Sequence, residues 1–116
     1  MKKVYYLVKC GSGTFVHYDI IDLIKENGSS LLFHKKAFDW KTGETRIFTL
    51  KATRKVMRNI NNDLVSYIDF RSTREEFYYY NIKEFSIPDD VTEPKKYFII
   101  DSRQTSQQDI INIICQ

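Results

Sequence analysis

Glycine, proline and cysteine are scarce in this chain, and each shortage excludes a class of protein. Its 116 residues include four Gly and two Pro, too few for a collagenous or low-complexity chain. The two cysteines, Cys10 and Cys115, cannot build the disulfide framework of a small secreted domain, and no Cys/His cluster has the spacing of a zinc site. We therefore expect two reduced thiols and no metal, with a single Cys10–Cys115 bridge as the alternative.

Long hydrophobic runs are missing as well. The apolar run Val4–Val8 follows two lysines but stops at Lys9, which is too short for the core of a signal peptide. Nothing approaches the roughly 18 apolar residues that a membrane-spanning helix requires. The sequence therefore predicts a soluble, cytoplasmic protein that makes no contact with a membrane.

Aromatic and charged residues are plentiful by comparison. Hydrophobic residues make up 42% of the chain and aromatic residues 15%, so the chain can bury a core of its own. A length of 116 residues suits one core better than two, and no Gly-, Pro- or Ser-rich linker divides the chain. We expect residues 1–116 to form a single domain.

Several segments carry strand patterns. The continuous apolar run Val4–Val8 predicts a strand that is buried on both faces, near the middle of a sheet. Residues 31–40 and 44–50 flank Lys41-Thr42-Gly43, whose glycine can take a positive φ, so this stretch predicts a hairpin. Further strands are predicted at 14–18, 64–70, 77–87 and 97–100.

Three other segments carry helix patterns. In residues 19–28, Asp19 can cap the first turn and Gly28 can supply a left-handed end. In residues 51–62, apolar and basic side chains separate onto opposite sides of a helix. A terminal helix is predicted from Ser106 onward, and its isoleucine-rich surface requires docking on the domain or on a partner. These elements indicate an α+β fold, a single compact domain with mainly antiparallel sheet and two or three short helices packed on it.

Charge is distributed unevenly along the chain. Residues 1–60 hold twelve basic and five acidic side chains, whereas residues 61–116 hold six and ten. On the predicted helix, four cations with the spacing i, i+3, i+4 and i+7 share one face: Lys51, Arg54, Lys55 and Arg58. Such a cluster favours a polyanion, and the alternative is the ordinary solvated face of an amphipathic helix. Candidate rim contacts are Lys35, Lys36, Arg71 and Arg74.

An aromatic stretch, Phe77–Tyr80, provides a second candidate surface. Strand alternation would send Phe77 and Tyr79 to one face of a sheet and Tyr78 and Tyr80 to the other. One pair would join the core, and the other could stack on bases or anchor a protein interface, so the candidate interface residues are Tyr78, Tyr79 and Tyr80. The acidic loop 88–94 and the terminal helix are further candidate protein contacts, and the helix is also a candidate for self-association.

The sequence gives little support for catalysis. Cys10 with His17 or His34 would be a minimal nucleophile and base, but neither histidine has an acidic partner at a suitable spacing. The segment Gly11-Ser12-Gly13 lacks the patterns of a nucleophile elbow and of a phosphate-binding loop, and we predict a turn there. We expect neither enzyme activity nor a cofactor.

Residues 22–56 resemble, in part, the WYL-type small β-barrel domains of bacterial regulators. In those domains a glycine precedes a hydrophobic strand, and a charged turn leads to an Arg-x-Phe strand. The corresponding residues here are Gly28, Leu31-Leu32-Phe33, Gly43-Glu44-Thr45 and Arg46-Ile47-Phe48. The Trp-Tyr-Leu triplet is missing, and the helices predicted at 19–27 and 53–61 conflict with the strands that the resemblance implies. We do not assign the chain to this family.

The leading hypothesis is a non-catalytic binding protein whose basic helical face at 51–58 engages a nucleic acid or a nucleic-acid-handling complex. The alternative is a small inhibitor or adaptor that binds a protein through its tyrosines, its acidic loop or its terminal helix. Twelve Lys against six Arg, together with many Ile, Asn and Tyr, is typical of AT-rich coding sequences such as those of phages and mobile elements.

Overall fold

The structure is a computed structural model that describes residues 1–11 and 13–116, so Ser12 of the predicted turn lies outside the described residues. Strands account for 58% of the chain. A short 3-10 turn, Glu75–Phe77, separates the fifth and sixth strands. The remaining elements in chain order are β1 (Lys2–Cys10), β2 (Phe15–Asn27), β3 (Ser30–Asp39), β4 (Glu44–Arg58), β5 (Leu64–Phe70), β6 (Tyr80–Ile87), β7 (Tyr97–Asp101) and α1 (Gln107–Ile114).

The seven strands form one antiparallel sheet. Six of them follow the order β5-β4-β3-β2-β1-β6, and β7 pairs with β2. The two ends of this order, β5 and β6, come close to each other, so the sheet curls into a nearly closed barrel. The predicted α+β fold with two or three helices packed on a sheet is therefore wrong, because α1 is the only α-helix among the described residues.

An inner core fills the barrel. Its aromatic members include Phe33, which is fully buried and packs edge-on against Tyr5 with ring centroids 5.2 Å apart. The 3-10 turn places Phe77 against Phe48 and Tyr80, with centroid distances of 5.6 and 5.5 Å. The buried residues of this core are Tyr5, Leu7, Ile21, Leu31, Phe33, Phe48, Leu50, Ala52, Phe77 and Ile82.

An outer core lies on the other face of β1, β2, β6 and β7, where α1 covers the sheet. The hydroxyl of Tyr6 donates a hydrogen bond to the carbonyl of Lys95, and burial raises the pKa of Tyr6 to about 12. Ser106 caps α1 through a reciprocal pair of hydrogen bonds with Asp109, which confirms the predicted helix start. The buried residues of this core are Tyr6, Val8, Tyr18, Phe85, Ile87, Phe98, Ile100, Ile110 and Ile114.

Several sequence predictions about strands are confirmed, including those at 64–70 and 97–100, which are β5 and β7. β1 lies between β2 and β6 and is buried on both faces, with Leu7 in the inner core and Tyr6 in the outer core. β3 and β4 form the predicted hairpin, and Gly43 takes a φ of +73° in its turn.

The predicted helix at 19–28 is the second half of β2. Its apolar residues serve both cores, because Ile20 packs against the outer core while Ile21 and Leu23 face the inner one. A strand that is apolar on both faces has the same residue composition as an amphipathic helix, and a β-bulge after Leu23 shifts the alternation further. Gly28 does have a positive φ, +62°, but it takes this conformation in the turn that joins β2 to β3 and not at the end of a helix.

The predicted helix at 51–62 is the end of β4 and the turn that follows. β4 pairs with β3 only as far as Thr53, and beyond that point it pairs with β5 alone. The resulting two-stranded extension, residues 55–67, is called the β4–β5 arm. The molecule is accordingly elongated, with principal extents of 47 × 33 × 32 Å and a radius of gyration of 14.9 Å, compared with about 13 Å for a compact chain of this length.

Candidate functional site

The basic helical face predicted at 51–58 does not form, because these residues belong to β4. Successive side chains of a strand point to opposite faces of the sheet. Lys51 and Lys55 therefore lie on the outer face, whereas Arg54 and Arg58 lie on the same face as the buried Ala52. The four cations are divided between two surfaces, and no single ridge of charge results.

The charge of Arg54 is neutralised within the domain. Its Nη1 lies 2.9 Å from Glu84 Oε2 in a charge-paired contact, and its Nε lies 3.3 Å from Glu26 Oε1. Burial alone raises the pKa of Glu84, but the attraction of Arg54 outweighs burial and lowers the pKa below its usual value. Arg54 is therefore occupied in holding β4 to β2 and β6.

Three other predicted contacts are also separated from one another. Lys35 points into the barrel, where its Nζ lies 3.8 Å from Asp19. Arg58 donates a hydrogen bond to the carbonyl of Asn62 across the turn of the arm. Lys36 lies on the outer face, but at the end of β3 near the Gly43 turn. The structure does not bring these side chains to one site.

Arg74 and Tyr80 contribute to the packing at one end of the barrel. The guanidinium of Arg74 lies 4.7 Å from the ring centroid of Phe48 and forms a 2.7 Å salt bridge to Glu76. Tyr80 is half-buried, and the Nζ of Lys9 lies 5.9 Å from its ring centroid. These contacts account for the positions of both side chains without a bound ligand.

Tyr78 and Tyr79 remain candidate interface residues. They are 57% and 76% exposed. The predicted alternation over 77–80 is wrong, because Phe77 belongs to the 3-10 turn and β6 begins only at Tyr80. Both exposed tyrosines therefore lie in the connection rather than on a flat sheet surface.

The acidic loop and the chain ends hold few further groups of chemical interest. The carboxylate of Asp89 lies 3.2 Å from the amino group of Met1. Cys10 and Cys115 are both free, so the alternative of a bridge between them is not realised. In the part of the chain that the structure describes, no three His, Cys, Asp or Glu side chains are placed to hold a metal ion. None of the described helices is long and apolar enough to cross a membrane.

A row of cations does cross the outer face of the barrel. Lys25 of β2 pairs with Leu32 of β3, which pairs with Lys51 of β4. Phe70 of β5 is the partner of Ala52 in β4. Arg71 follows Phe70 and therefore lies next to Lys51, which precedes Ala52 in the antiparallel strand. These residues line a groove of about 480 Å³ on the exposed side of the sheet. The register of four strands thus assembles cations that are distant in sequence.

The row continues toward the arm through Lys55. Its Nζ lies 2.8 Å from Asp69, and the hydrogen bond and charge of Lys55 hold the pKa of that carboxyl below its usual range. Arg71 lies 3.7 Å from the same carboxylate. Tyr67, 41% exposed, is the cross-strand partner of Lys55. We call Lys25, Lys51, Lys55 and Arg71 the cationic face.

The balance of charge on the cationic face is positive. This face holds four cations and one carboxylate, Asp69, which leaves a formal charge of +3. Among the described residues, neither Lys25 nor Lys51 forms a salt bridge. The helix α1 packs on the outer face of β1, β2, β6 and β7 and does not cover the cationic face. The arrangement can attract anions but contains no group placed for acid–base or nucleophilic chemistry.

Lys25 is the member of this site that sequence reasoning missed. It lies within the segment whose pattern predicts a helix, where it has no relation to Lys51. A strand prediction for 19–27, combined with the Gly28 turn, would have paired Lys25 with Leu32 and so with Lys51.

Comparison with protein-family models, curated proteins and solved structures gives no match for this chain. The helices predicted at 19–27 and 53–61, which conflicted with the resemblance to WYL-type domains, are wrong, but no family model supports that resemblance. The missing Trp-Tyr-Leu triplet still separates this sequence from that family.

Proposed function

We propose that this protein is a non-catalytic, cytoplasmic nucleic-acid-binding protein that uses the cationic face. The observation that carries the proposal is the row of Lys25, Lys51 and Arg71, which the register of four strands places on the open side of the barrel. The free thiols of Cys10 and Cys115 are compatible with a reducing compartment.

The geometry of the row suits an extended polyanion better than a single small anion. Neighbouring strands are about 5 Å apart, so Lys25 and Lys51 are separated by about 10 Å and Lys51 is next to Arg71. Each side chain can therefore reach a different phosphate of one strand. Tyr67 lies beside Lys55 on the same face, where its exposed ring offers a surface on which a base can stack.

The proposal does not depend on a helix at 51–58. Arg54 and Arg58, the two arginines of the predicted helical face, lie on the inner side of β4 and are engaged by other groups of the chain. Lys51, Lys55 and Arg71 are retained from the predicted set, and Lys25 is added.

The test is binding of a labelled single-stranded oligonucleotide and of its duplex, followed by fluorescence anisotropy. Contacts to three phosphates predict a slope of log K against log salt of about −2.1 for the single strand and about −2.7 for the duplex. Raising salt from about 50 to 200 mM should then weaken binding roughly 20-fold or 40-fold, respectively. The triple variant Lys25→Glu, Lys51→Glu and Arg71→Glu should bind at least about 30 times more weakly.

A matched control carries the same change of charge on another surface. Lys41, Lys95 and Lys96 are exposed and do not line the groove of the cationic face, so replacing all three by Glu should preserve most of the affinity. Equal losses in the two triple variants would show that only net charge matters, and no binding at low salt would refute the proposal.

The inhibitor or adaptor hypothesis is a second candidate because Tyr78 and Tyr79 are well exposed. It predicts a protein complex that is insensitive to salt and is lost when both tyrosines become alanine. The triple variant Lys25→Glu, Lys51→Glu and Arg71→Glu would leave such a complex intact, whereas the double tyrosine variant would abolish it. Comparing these two variants therefore separates the two functions.

A further inference from the structure

A cavity of about 770 Å³ opens at one mouth of the barrel, and we call it the mouth cavity. It lies where the end of β1, the β3–β4 turn and the 3-10 turn meet, and it shares no lining residue with the groove of the cationic face. Small-molecule sites commonly occupy barrel mouths and have volumes of roughly 300–1,000 Å³. The mouth cavity therefore has the place and the size of a ligand site, separate from the surface proposed for nucleic acid.

Aromatic side chains form the apolar wall of the mouth cavity. Phe48 and Phe77 are buried and pack edge-on, with ring centroids 5.6 Å apart. At the rim, Trp40 packs edge-on against Phe38 at 4.8 Å, yet Trp40 is 88% exposed and Phe38 is 49% exposed. A planar aromatic ring gains ring–ring contact as well as burial against such side chains. The rim pair leaves ring surface open to solvent, so a planar aromatic ligand fits this wall.

Most of the negative charge in the mouth cavity is already neutralised. Asp39 is buried and accepts a 2.8 Å hydrogen bond from Arg46. Glu76 forms a 2.7 Å salt bridge with Arg74. In the described part of the chain, Glu75 is the one cavity carboxylate without a salt bridge.

Two lysines supply unpaired positive charge. Lys9 and Lys41 both line the mouth cavity, and neither forms a salt bridge within residues 1–11 and 13–116. Lys41 acts partly on Glu76, whose pKa is lowered by a backbone hydrogen bond, by Arg74 and, to a smaller extent, by Lys41. Two unpaired lysines against one unpaired carboxylate, Glu75, leave a formal balance of +1.

Lys9 is the cation best placed to hold an anion in the mouth cavity. It follows Leu7 on the inward face of β1, and its Nζ lies 5.9 Å from the ring centroid of Tyr80. Burial and, second, the charge of Asp19 raise the pKa of Tyr80, but Asp19 is itself paired with Lys35 at 3.8 Å. An ammonium group beside aromatic rings and without a carboxylate partner favours a carboxylate on the ligand.

We propose that the mouth cavity binds a small planar aromatic carboxylate. The ring packs against Phe48, Phe77 and Trp40, and the carboxylate accepts a charge-assisted hydrogen bond from the Nζ of Lys9. Binding is non-covalent and requires neither the cationic face nor a nucleic acid.

Three probes that share one ring and differ in charge test this proposal: 2-naphthoate, 2-naphthamide and 2-naphthylmethylamine. Trp40 is the one tryptophan of the chain, so its indole N–H signal in the isotopically labelled protein reports directly on the rim. Naphthoate should shift this signal and the amide signal of Lys9 saturably, with a Kd of about 1 mM or below. The cationic amine should bind at least tenfold more weakly, with the neutral amide in between.

Three results with the wild-type protein would overturn the proposal. They are naphthoate shifts that do not saturate by about 10 mM, an amine that binds as tightly as naphthoate, and shifts confined to residues outside the mouth cavity. None of these results requires a variant to fold.

Two variants remove the same charge from different surfaces. Lys9→Gln should weaken naphthoate binding at least tenfold and change naphthamide binding less than threefold. Lys36→Gln removes a cation from the outer face of the β3–β4 hairpin, outside the mouth cavity, and should change naphthoate binding less than threefold. Equal losses in the two variants would show that only net charge matters and would overturn the proposal.

Ala37→Leu tests the space in the mouth cavity. Ala37 lines the cavity and is partly buried, so a larger side chain reduces the room for a ring without removing any charge. It should weaken binding of all three probes at least tenfold, and thermal unfolding shows whether the variant folds. If it does not fold, Trp40→Ala at the exposed rim replaces it, with naphthoate binding followed through the Lys9 amide.

Adenosine monophosphate also combines a planar ring with an anion, so it is the competing ligand. A Kd for this nucleotide at least tenfold below that of naphthoate, at the same signals, would assign the mouth cavity to nucleotides and overturn the proposal. The triple variant Lys25→Glu, Lys51→Glu and Arg71→Glu should bind naphthoate with wild-type affinity. Failure of this proposal and failure of nucleic-acid binding at the cationic face are therefore distinguishable.

Discussion

Arg54 and Glu84 face each other at the side of the barrel where β5 and β6 meet, with 21% and 22% of their side chains exposed. Partial burial makes the pair stronger than a surface salt bridge, because less solvent screens it, and Tyr5 lies beside both groups. The contact joins β4 to β6, which are not hydrogen-bonded to each other. A charged residue at an inward position thus serves to hold the barrel together.

We predict that Glu84→Gln lowers the free energy of unfolding at pH 7 by about 1–2 kcal/mol. The folded-state pKa of Glu84 is depressed, so its contribution is present above the unfolded value of about 4.3 and is lost as pH falls through the folded pKa. Urea unfolding should show the full difference at pH 7 and a smaller difference at pH 3. Glu93→Gln, at an exposed position, is the control, and an equal effect at both pH values would contradict the charge argument.

At the scale of elements, the sequence predicted those whose signals are local. The Gly43 turn, the doubly buried β1 and the Ser106 cap each depend on neighbouring residues, and all three are present. β2 and β4 could not be predicted in this way. Their apolar and charged residues face two different surfaces, and elements that are distant in sequence, such as β7 beside β2, decide which of these surfaces is covered.

The Gly43 turn allows a prediction about the β3–β4 hairpin. We expect Gly43→Ala to destabilise the protein by about 1 kcal/mol, because its φ of +73° is unfavourable for a residue with a Cβ. Beyond the adjoining residues, a Cβ at this position would meet no atom within 4 Å, so conformation alone should set the cost. Thermal unfolding is the measurement. Gly43→Asn should cost less, since asparagine tolerates this region, and equal effects would point to a cause other than φ.

At the scale of the whole molecule, the candidate site depends on the closure of the sheet. The sequence named Lys51 and Lys55 from a helical spacing that the structure does not have, and it named Arg71 only as a rim contact. Grouping them with Lys25 required the strand assignment of 19–27 and the register of its hairpin, and excluding Arg54 required its contacts with Glu26 and Glu84. On the outer face of the barrel, α1 covers β1, β2, β6 and β7, and the groove beside Lys51 stays open.

The two cores share β1, and this predicts that they unfold together. Tyr5 and Leu7 belong to the inner core, whereas Tyr6 and Val8 belong to the outer one, so neither core can form without the same strand. Ile114, the last residue of α1, is fully buried in the outer core. Ile114→Ala should lower the free energy of unfolding by about 2–4 kcal/mol. Phe33 and Leu50 belong to the inner core, on the other side of the sheet from α1. Hydrogen exchange at their amides should nevertheless become faster by the factor that corresponds to this loss of unfolding free energy.

Asn112→Ala, on the exposed side of the same helix, is the matched control for Ile114→Ala and should leave the exchange of the barrel amides nearly unchanged. If Ile114→Ala accelerated exchange only in α1 and β7, the outer core would be a separately unfolding unit. The inner barrel would then be stable by itself, and β1 would not couple the two cores. A uniform acceleration follows from the sharing of β1, because a strand that leaves one core leaves both.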